Sequence, residues 1–476
     1  MSSDTSTDTV GHIQNPWVPT ALVIIGSSMV MIDATIVNVA LYAIGEDLGA
    51  LRGIEWVATS YLLAVCIAQP MMGWIADHLG RKKLFIASLF MFTLTSVLCA
   101  LSPSLGVLIF FRFLQGLSGG VIGPLGTTMV LELFPREMHA KAMGVAAMSF
   151  MMTPALGPSL GGLLVTKVSW HWMFLINVPI GVALVVLSMS KIPEFGHRET
   201  RRFDFKGWFC GSAGLALFVL ALMQGNTWGW RSASTLLAVI AGVALLITFV
   251  TIEFRVPNPM LELRIVKSAT FRFAMLAMLF MTMAQYGRII YVPLQLESLR
   301  DFTPLRVGVM LMPAAVFGMI ASWKSAWVTE RYGARIAIAT GGSISCIACL
   351  FLSQNTLNTN VGWLVFVLTL QSFGMGLAVS PAMATGMSEL PPNLIAQGST
   401  IRGLSGQVAG ALAVGMLGAI AGAKMGASPS PQEAQDGYNF AFIIAAICVA
   451  YSVFLALRIP KSSHEHLEPG ELPFLD

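Results

Sequence analysis

Charge is scarce in this chain. Of its 476 residues 11% are charged while 55% are hydrophobic, and apolar runs recur along the whole length. The runs are continuous rather than ten-residue alternating segments, which excludes an outer-membrane barrel. No G-x-x-x-x-G-K-[ST] loop occurs and no connection is long enough to hold a soluble catalytic domain, which excludes an ATP-driven pump. All seven histidines (His12, His78, His139, His171, His197, His464 and His466) fall in expected loops or tails. No nucleophile–base pair or metal-ligand cluster stands at membrane depth, so an integral membrane enzyme is not expected. The stretch before Pro16 lacks Lys and Arg, and no small-residue cleavage pattern follows the first apolar run. It reads as a cytoplasmic tail before a retained helix, with no signal peptide. The six cysteines all lie within expected spans as small apolar packing residues, so no disulfide framework is expected. Cys346 and Cys349 have C-x-x-C spacing without a second ligand pair, which favours packing over metal binding.

What is present is a polytopic, all-α membrane protein. A helix needs about 20 mostly apolar residues to cross the hydrocarbon, and fourteen runs approach that length, at 18–40, 54–76, 84–103, 105–133, 142–166, 170–190, 207–226, 233–254, 271–295, 305–328, 336–354, 361–387, 397–423 and 438–458. With both termini cytoplasmic, eighteen of the 28 Lys and Arg residues lie in inner loops and the tail against six in outer loops. The net charge of +4 then reports topology and needs no nucleic-acid partner.

Asp33 is the only acidic residue far from either end of an expected span, and a carboxylate at that depth points to function. A proton-coupled machine needs a group that gains and loses a proton while access switches sides, and Asp33 is the candidate. Arg112, several residues into span 4, is always charged and able to pair with that acid. A structural ion pair is the alternative reading. The chain also repeats itself. Gly73-Trp-Ile-Ala-Asp77-His-Leu-Gly80-Arg81-Lys82-Lys83 after span 2 matches Ala326-Trp-Val-Thr-Glu330-Arg331-Tyr-Gly333-Ala-Arg335 after span 10. The repeat predicts a cytoplasmic tail (1–17), an N-terminal six-helix bundle (18–190), a cytoplasmic loop (191–206), two inserted helices (207–254), a C-terminal six-helix bundle (271–458) and a second tail (459–476). Repeated bundles around a central site suit alternating access.

Gly73–Lys83 reads as a tight turn, with Gly80 permitting the conformation and the three basic residues anchoring to anionic headgroups. Gly73 and Asp77 share a helical face, where Gly73 would let another helix approach. In span 5, Pro154 and Pro158 stand among Gly157, Gly161 and Gly162, a set that predicts bending and tight packing.

The residues Asp33-Ala-Thr-Ile-Val-Asn38, the Gly73–Lys83 loop, Arg112-Phe-Leu-Gln115-Gly116, Pro154-Ala-Leu-Gly157-Pro158-Ser-Leu-Gly161-Gly162 and Trp172-Met-Phe-Leu-Ile-Asn177-Val-Pro179-Ile-Gly181 occur in this order. Together they resemble the 14-helix drug:proton antiporter family of the major facilitator superfamily, across nearly the whole chain. The resemblance implies two six-helix bundles with two inserted central helices. It also implies export of amphipathic drugs or other small toxic compounds, driven by the proton gradient without a cofactor. It assigns Asp33 and Arg112 to proton coupling, and Gly73, Asp77, Gly80, Arg81 and Lys82 to a latch of the cytoplasmic side. Pro154, Gly157, Pro158, Gly161 and Gly162 become an antiporter motif that limits proton leak. The second loop has Ala326 and Glu330 in place of glycine and aspartate, which puts its latch role in doubt.

A promiscuous pocket has no fixed motif. The substrate-cavity candidates are Asn38, Gln115, Gln285, Tyr286 and Arg288. A charge at the depth of Arg288 costs at least about 2.5 kcal/mol unless water or a partner relieves it. Arg112, Arg288 and Lys324 outnumber Asp33 within the spans, which suggests an anionic, zwitterionic or weak-acid substrate rather than a lipophilic cation. Snorkelling is the alternative, above all for Lys324. The expected partners are a small amphipathic substrate, protons and membrane lipids, with a functional monomer in the bacterial cytoplasmic membrane. The segment Lys424–Gly437 is short, which does not favour a periplasmic adaptor. A dedicated exporter of one metabolite, siderophore or lipid, and a non-transporting sensor or scaffold, are the competing expectations.

Overall fold

A lipid-embedded backbone must satisfy its own hydrogen bonds, and a chain this apolar does so as helices. The computed structural model describes residues 15–50, 53–195, 203–256, 259, 261–391, 394–425 and 430–460. The expected tails at 1–14 and 461–476, and 196–202 of the expected cytoplasmic loop, fall outside them. The described residues form helices and no strand: α1 (Trp17–Asp47), α2 (Trp56–Leu79), α3 (Arg81–Ala100), α4 (Leu105–Leu133), α5 (His139–Lys167), α6 (His171–Leu175), α7 (Asn177–Lys191), α8 (Phe205–Trp228), α9 (Ala233–Arg255), α10 (Ala269–Arg300), α11 (Pro304–Tyr332), α12 (Ala334–Leu352), α13 (Val361–Ser388), α14 (Ile395–Met425) and α15 (Pro431–Leu457). Among the described residues, twelve spans, with α6 and α7 joined as one, are long and apolar enough to cross a membrane. α5 and α14, at the fifth and thirteenth expected positions, are helices of 29 and 31 residues that are not among the twelve.

The helices differ from the apolar runs mainly at their ends. α15 begins at Pro431 rather than 438 because Ser430 and Glu433 form a capping box that carries the helix into polar sequence. Asp204, Ser232, Ser268, Thr303 and Asn360 are simple N-caps of α8, α9, α10, α11 and α13, each side chain accepting a backbone N–H of the first turn. The sixth expected span is broken at Ile176 between α6 and α7. Pro179 has no N–H and its ring crowds the carbonyl four residues earlier, that of Leu175 at the end of α6.

The internal repeat shows in the backbone. Gly80 between α2 and α3 and Gly333 between α11 and α12 hold φ of 85° and 86°, a conformation that favours glycine. α2 packs on α4, α3 on α4 and α7, and α1 on α5; α12 packs on α13 and α15, and α10 on α13, α14 and α15. The two groups meet where α5 lies along α11 and α13, and where α14 lies against α2 and α4. The α5–α11 pair touches toward both ends, Gly144 at the Ser322 carbonyl and Gly308 at Ser159. α8 and α9 pair with each other, and α8 also rests on α2 and α14. α9 exposes Leu237, Ile240 and Ile247 as a lipid-facing surface would.

The apolar core is divided unequally. At the end where α1 starts and α15 finishes, one buried cluster joins Met72, Phe85 and Phe134 of the first group to Phe271, Met383 and Met387 of the second. At the opposite end there are two separate clusters, one around Ile36, Leu108 and Phe174 and the other around Leu311, Leu368 and Phe442.

Candidate coupling site

Asp33 on α1 is fully buried and Arg112 on α4 is 1% exposed, so each depends on protein groups for what water would supply. Arg112 Nη1 donates to Asp33 Oδ2 at 2.6 Å and to Gln115 Oε1 at 2.8 Å. Gln115 lies one helical turn beyond Arg112, and its Nε2 approaches Asp33 Oδ1 at 3.4 Å. Asn177 on α7 donates from Nδ2 to Asp33 Oδ1 at 2.8 Å and to Ser96 Oγ on α3 at 3.1 Å. The guanidinium carbon lies 4.3 Å from the Tyr61 ring centroid and 5.7 Å from that of Phe174. The carboxylate therefore ties α1, α3, α4 and α7 together through charge-assisted bonds.

Close helix approach makes this geometry reachable. A Cβ at Gly116, next to Gln115, would stand 2.3 Å from the Tyr61 carbonyl oxygen, and one at Gly157 on α5 would stand 2.4 Å from Thr35 Oγ1. Gly161 also faces α1, at the Ile36 carbonyl and Val39, and Gly162 follows it in α5. α5 runs as one helix through 154 and 158, and the side chains of Pro154 and Pro158 lie outside the described residues.

The candidate cavity residues divide. Gln115 belongs to the Asp33 network, whereas Asn38 is exposed and takes no part in it. Tyr286 packs its ring on Gly410 of α14, within electrostatic range of both Arg402 and Tyr61. Gln285 is half-buried, and its Oε1 has no hydrogen-bond partner among the described residues. Arg288 is 5% exposed, beside Cys349 of α12, and its Nε likewise has no partner among the described residues. Lys324 is exposed between the exposed Trp323 and Trp327, the placement that snorkelling gives.

The Gly73–Lys83 loop differs from expectation in two respects. Arg81 does not reach toward headgroups: it is buried in an ion pair with Glu132 at the end of α4, because the first turn of α3 directs it inward. Lys82 stands 3.8 Å from Glu194, which leaves Lys83 as the exposed base. Gly73 is buried, yet a Cβ added there would have no neighbour within 4 Å among the described residues, so it is not a point of close helix contact in this conformation. Asp77 is half-buried and lies near Glu132. In the second copy Glu330 and Arg331 are exposed, and Arg331 lies 5.7 Å from the Trp327 ring.

Glu132, Asn177, Ser96, Tyr61 and Arg402 are members of these arrangements that the sequence reading did not assign. Asn177 had a usable signal, an amide beside the helix-breaking Pro179. Glu132 had none, since an acid at a span end ordinarily meets water.

Two packed helical groups with an ionised pair sealed inside one of them, and helices long enough to cross a bilayer, define a polytopic membrane transporter. The profile of the Major Facilitator Superfamily matches residues 23–414, and the chain belongs to that superfamily of transporters, which are generally not enzymes. It is 30% identical over 455 residues, 94% of this chain and 95% of the other, to the Escherichia coli K12 "Putative multidrug resistance protein MdtD". It is 26% identical over 407 residues, 85% of this chain and 76% of the other, to the Bacillus subtilis "Uncharacterized MFS-type transporter YhcA". The fold matches the crystal structure of the human organic anion transporter MFSD10 with a TM-score of 0.64 at 14% identity, covering 93% of this chain and 99% of that one. It matches the proton:xylose symporter XylE with a TM-score of 0.66 at 13% identity, covering 94% and 96%.

Proposed function

We propose that the protein is a proton-coupled antiporter that exports small amphipathic compounds from the bacterial cytoplasm by alternating access, with both termini cytoplasmic. The observation that carries this reading is the sealed network of Asp33, Arg112, Gln115 and Asn177. A proton on Asp33 removes the charge that holds Arg112 and Asn177, weakening bonds that join α1, α3, α4 and α7. The Arg112 charge is then unbalanced, and rearrangement of the half or release of the proton restores balance. Binding one proton thus biases one arrangement of the helices, and losing it biases the other.

Access switches by rocking the α1–α7 half against the α10–α15 half, with the long α5–α11 contact as the axis. The described conformation, with its common core at the end of the termini and separate cores opposite, is the one closed toward the cytoplasm. The latch role of Gly73, Asp77, Gly80, Arg81 and Lys82 fits that closed end, where the Arg81–Glu132 pair joins α3 to α4. The proton gradient supplies the energy with no cofactor, and the protein works as a monomer among membrane lipids without an adaptor. The multidrug resistance in the name of its Escherichia coli relative supports export of drug-like compounds.

The test is pH-gradient-driven transport in proteoliposomes across cations, anions and neutral amphiphiles. Accumulation that follows the sign of the gradient and vanishes in Asp33→Asn is expected. Gradient-driven flux at the wild-type rate in Asp33→Asn removes that residue from coupling.

A further inference from the structure

Arg288 is a buried cation that the coupling mechanism leaves unused. It is 95% buried (5% exposed), and no carboxylate pairs with it among the described residues. Its Nε has no hydrogen-bond partner there. Beside it stand Cys349 of α12 and, against that thiol, Gln371 of α13. Gln371 is fully buried, and neither Nε2 nor Oε1 has an oxygen or nitrogen partner among the described residues. The wall behind is apolar, with Ala284, Ala445 and Val449 packed around Cys349. Two buried side chains with unmade bonds, one charged and one neutral, thus stand on either side of the Cys349 thiol, with no acid paired to them among the described residues. Leaving buried donors unmade is costly, and a charge at this depth is retained for function.

The place is also a counterpart of the coupling site. Gln371 is the eleventh residue of α13, as Gln115 is of α4, and Cys349 is the sixteenth of α12, as Ser96 is of α3. By the spacing of the repeat, Arg288 on α10 stands within a turn of the position of Asp33 on α1. One half encloses a neutral pair and the other a buried cation with no carboxylate partner among the described residues.

We infer that the substrate is an organic anion bearing a carboxylate, whose two oxygens are received by the Arg288 guanidinium and the Gln371 amide. The planar guanidinium fork matches a carboxylate in two-point fashion, the amide adds a neutral donor, and the apolar wall accommodates the organic body. The inference deepens the export reading and rests on it for the direction of transport, whereas the anion site itself stands on the pocket chemistry. A lipophilic cation would meet an unscreened positive charge here and be repelled.

Purified protein in detergent, titrated by fluorescence anisotropy with carboxyfluorescein and with ethidium, tests this. Carboxyfluorescein is expected to bind and ethidium to bind at least about tenfold more weakly. Arg288→Gln should weaken the anionic dye about tenfold or more, with Arg288→Lys recovering part of the loss. Cys349→Asp, which supplies an internal counter-charge, should weaken the same dye and serves if Arg288→Gln fails to fold. Wild type that binds ethidium in preference, or neither dye, overturns the proposal, and so does carboxyfluorescein affinity unchanged in Arg288→Gln. Anion binding without uptake under a pH gradient leaves the anion site standing and overturns proton coupling instead.

Discussion

The two halves place buried polar groups at corresponding helix positions with opposite electrostatic bookkeeping. In the first, Asp33 and Arg112 cancel, and Gln115, Asn177 and Ser96 occupy the remaining bonding positions. In the second, at or within a turn of the matching helix positions, Arg288, Gln371 and Cys349 leave a positive charge and unmade bonds among the described residues. Duplicated helices therefore do not carry duplicated chemistry. Under the proposed function, the self-balanced cluster answers to the smallest ligand, a proton, and the unbalanced one to a ligand that brings its own charge.

The contrast breaks most decisively in stability. Arg112→Leu strands a buried carboxylate and is expected to lower unfolding free energy by roughly 3–5 kcal/mol. Arg288→Leu removes an uncompensated charge and should leave stability unchanged or raise it by up to about 2 kcal/mol. Denaturation of both variants in detergent measures the difference, and equal losses would erase it.

Next in size is a designed exchange of character. Cys349→Asp next to Arg288 builds in the second half the pair that the first already has. A double-mutant cycle with Arg288→Gln should yield a favourable coupling of about 1–3 kcal/mol, and none if the two side chains are apart. Function gives a finer cut: Asp33→Asn should drive pH-gradient-dependent flux to background while leaving carboxyfluorescein binding within about twofold of wild type, since that pocket lies in the other half. A common loss of both would merge the two sites into one. The smallest effect separates the twin loops. Glu132→Gln leaves Arg81 buried without its charge partner and should cost about 1–3 kcal/mol, whereas Glu330→Gln on the exposed copy should stay within about 0.5 kcal/mol in the same denaturation assay.

Much of this architecture is legible in the sequence because lipid permits few solutions. Long apolar runs must be helices, and a lone Asp33 must find a partner, for which Arg112 was the natural choice. The paired loops at Gly80 and Gly333 were readable because a positive φ leaves glycine as its signature. Less legible was the closure of the network, since Asn177 reaches Asp33 across 144 residues of sequence and only packing sets that distance. Arg81 misled because basic residues at a span end ordinarily face headgroups, and nothing local betrays that Glu132 awaits it. Helix ends also ran past the apolar runs, because caps such as Ser430 obey local hydrogen bonding rather than hydropathy. Arg288 was visible as a charge without an acid nearby in its own helix. That Gln371 and Cys349 stand with it depends on helix register across three segments, which spacing alone does not reveal.

The common core at the end of the termini includes Met72, Met143, Met275, Met383 and Met387, thioethers drawn from both halves. Unbranched side chains can pack such a seal without demanding one fixed fit. Under the proposed alternating access every turnover wets and then dries that seam, so the cycle inherits the heat-capacity signature of hydrophobic exposure and its rate should curve with temperature. The same sulfur atoms make the gate vulnerable to oxidants: a sulfoxide in the seam is polar and would hold it ajar. An exporter built this way would leak under oxidative stress before it unfolds.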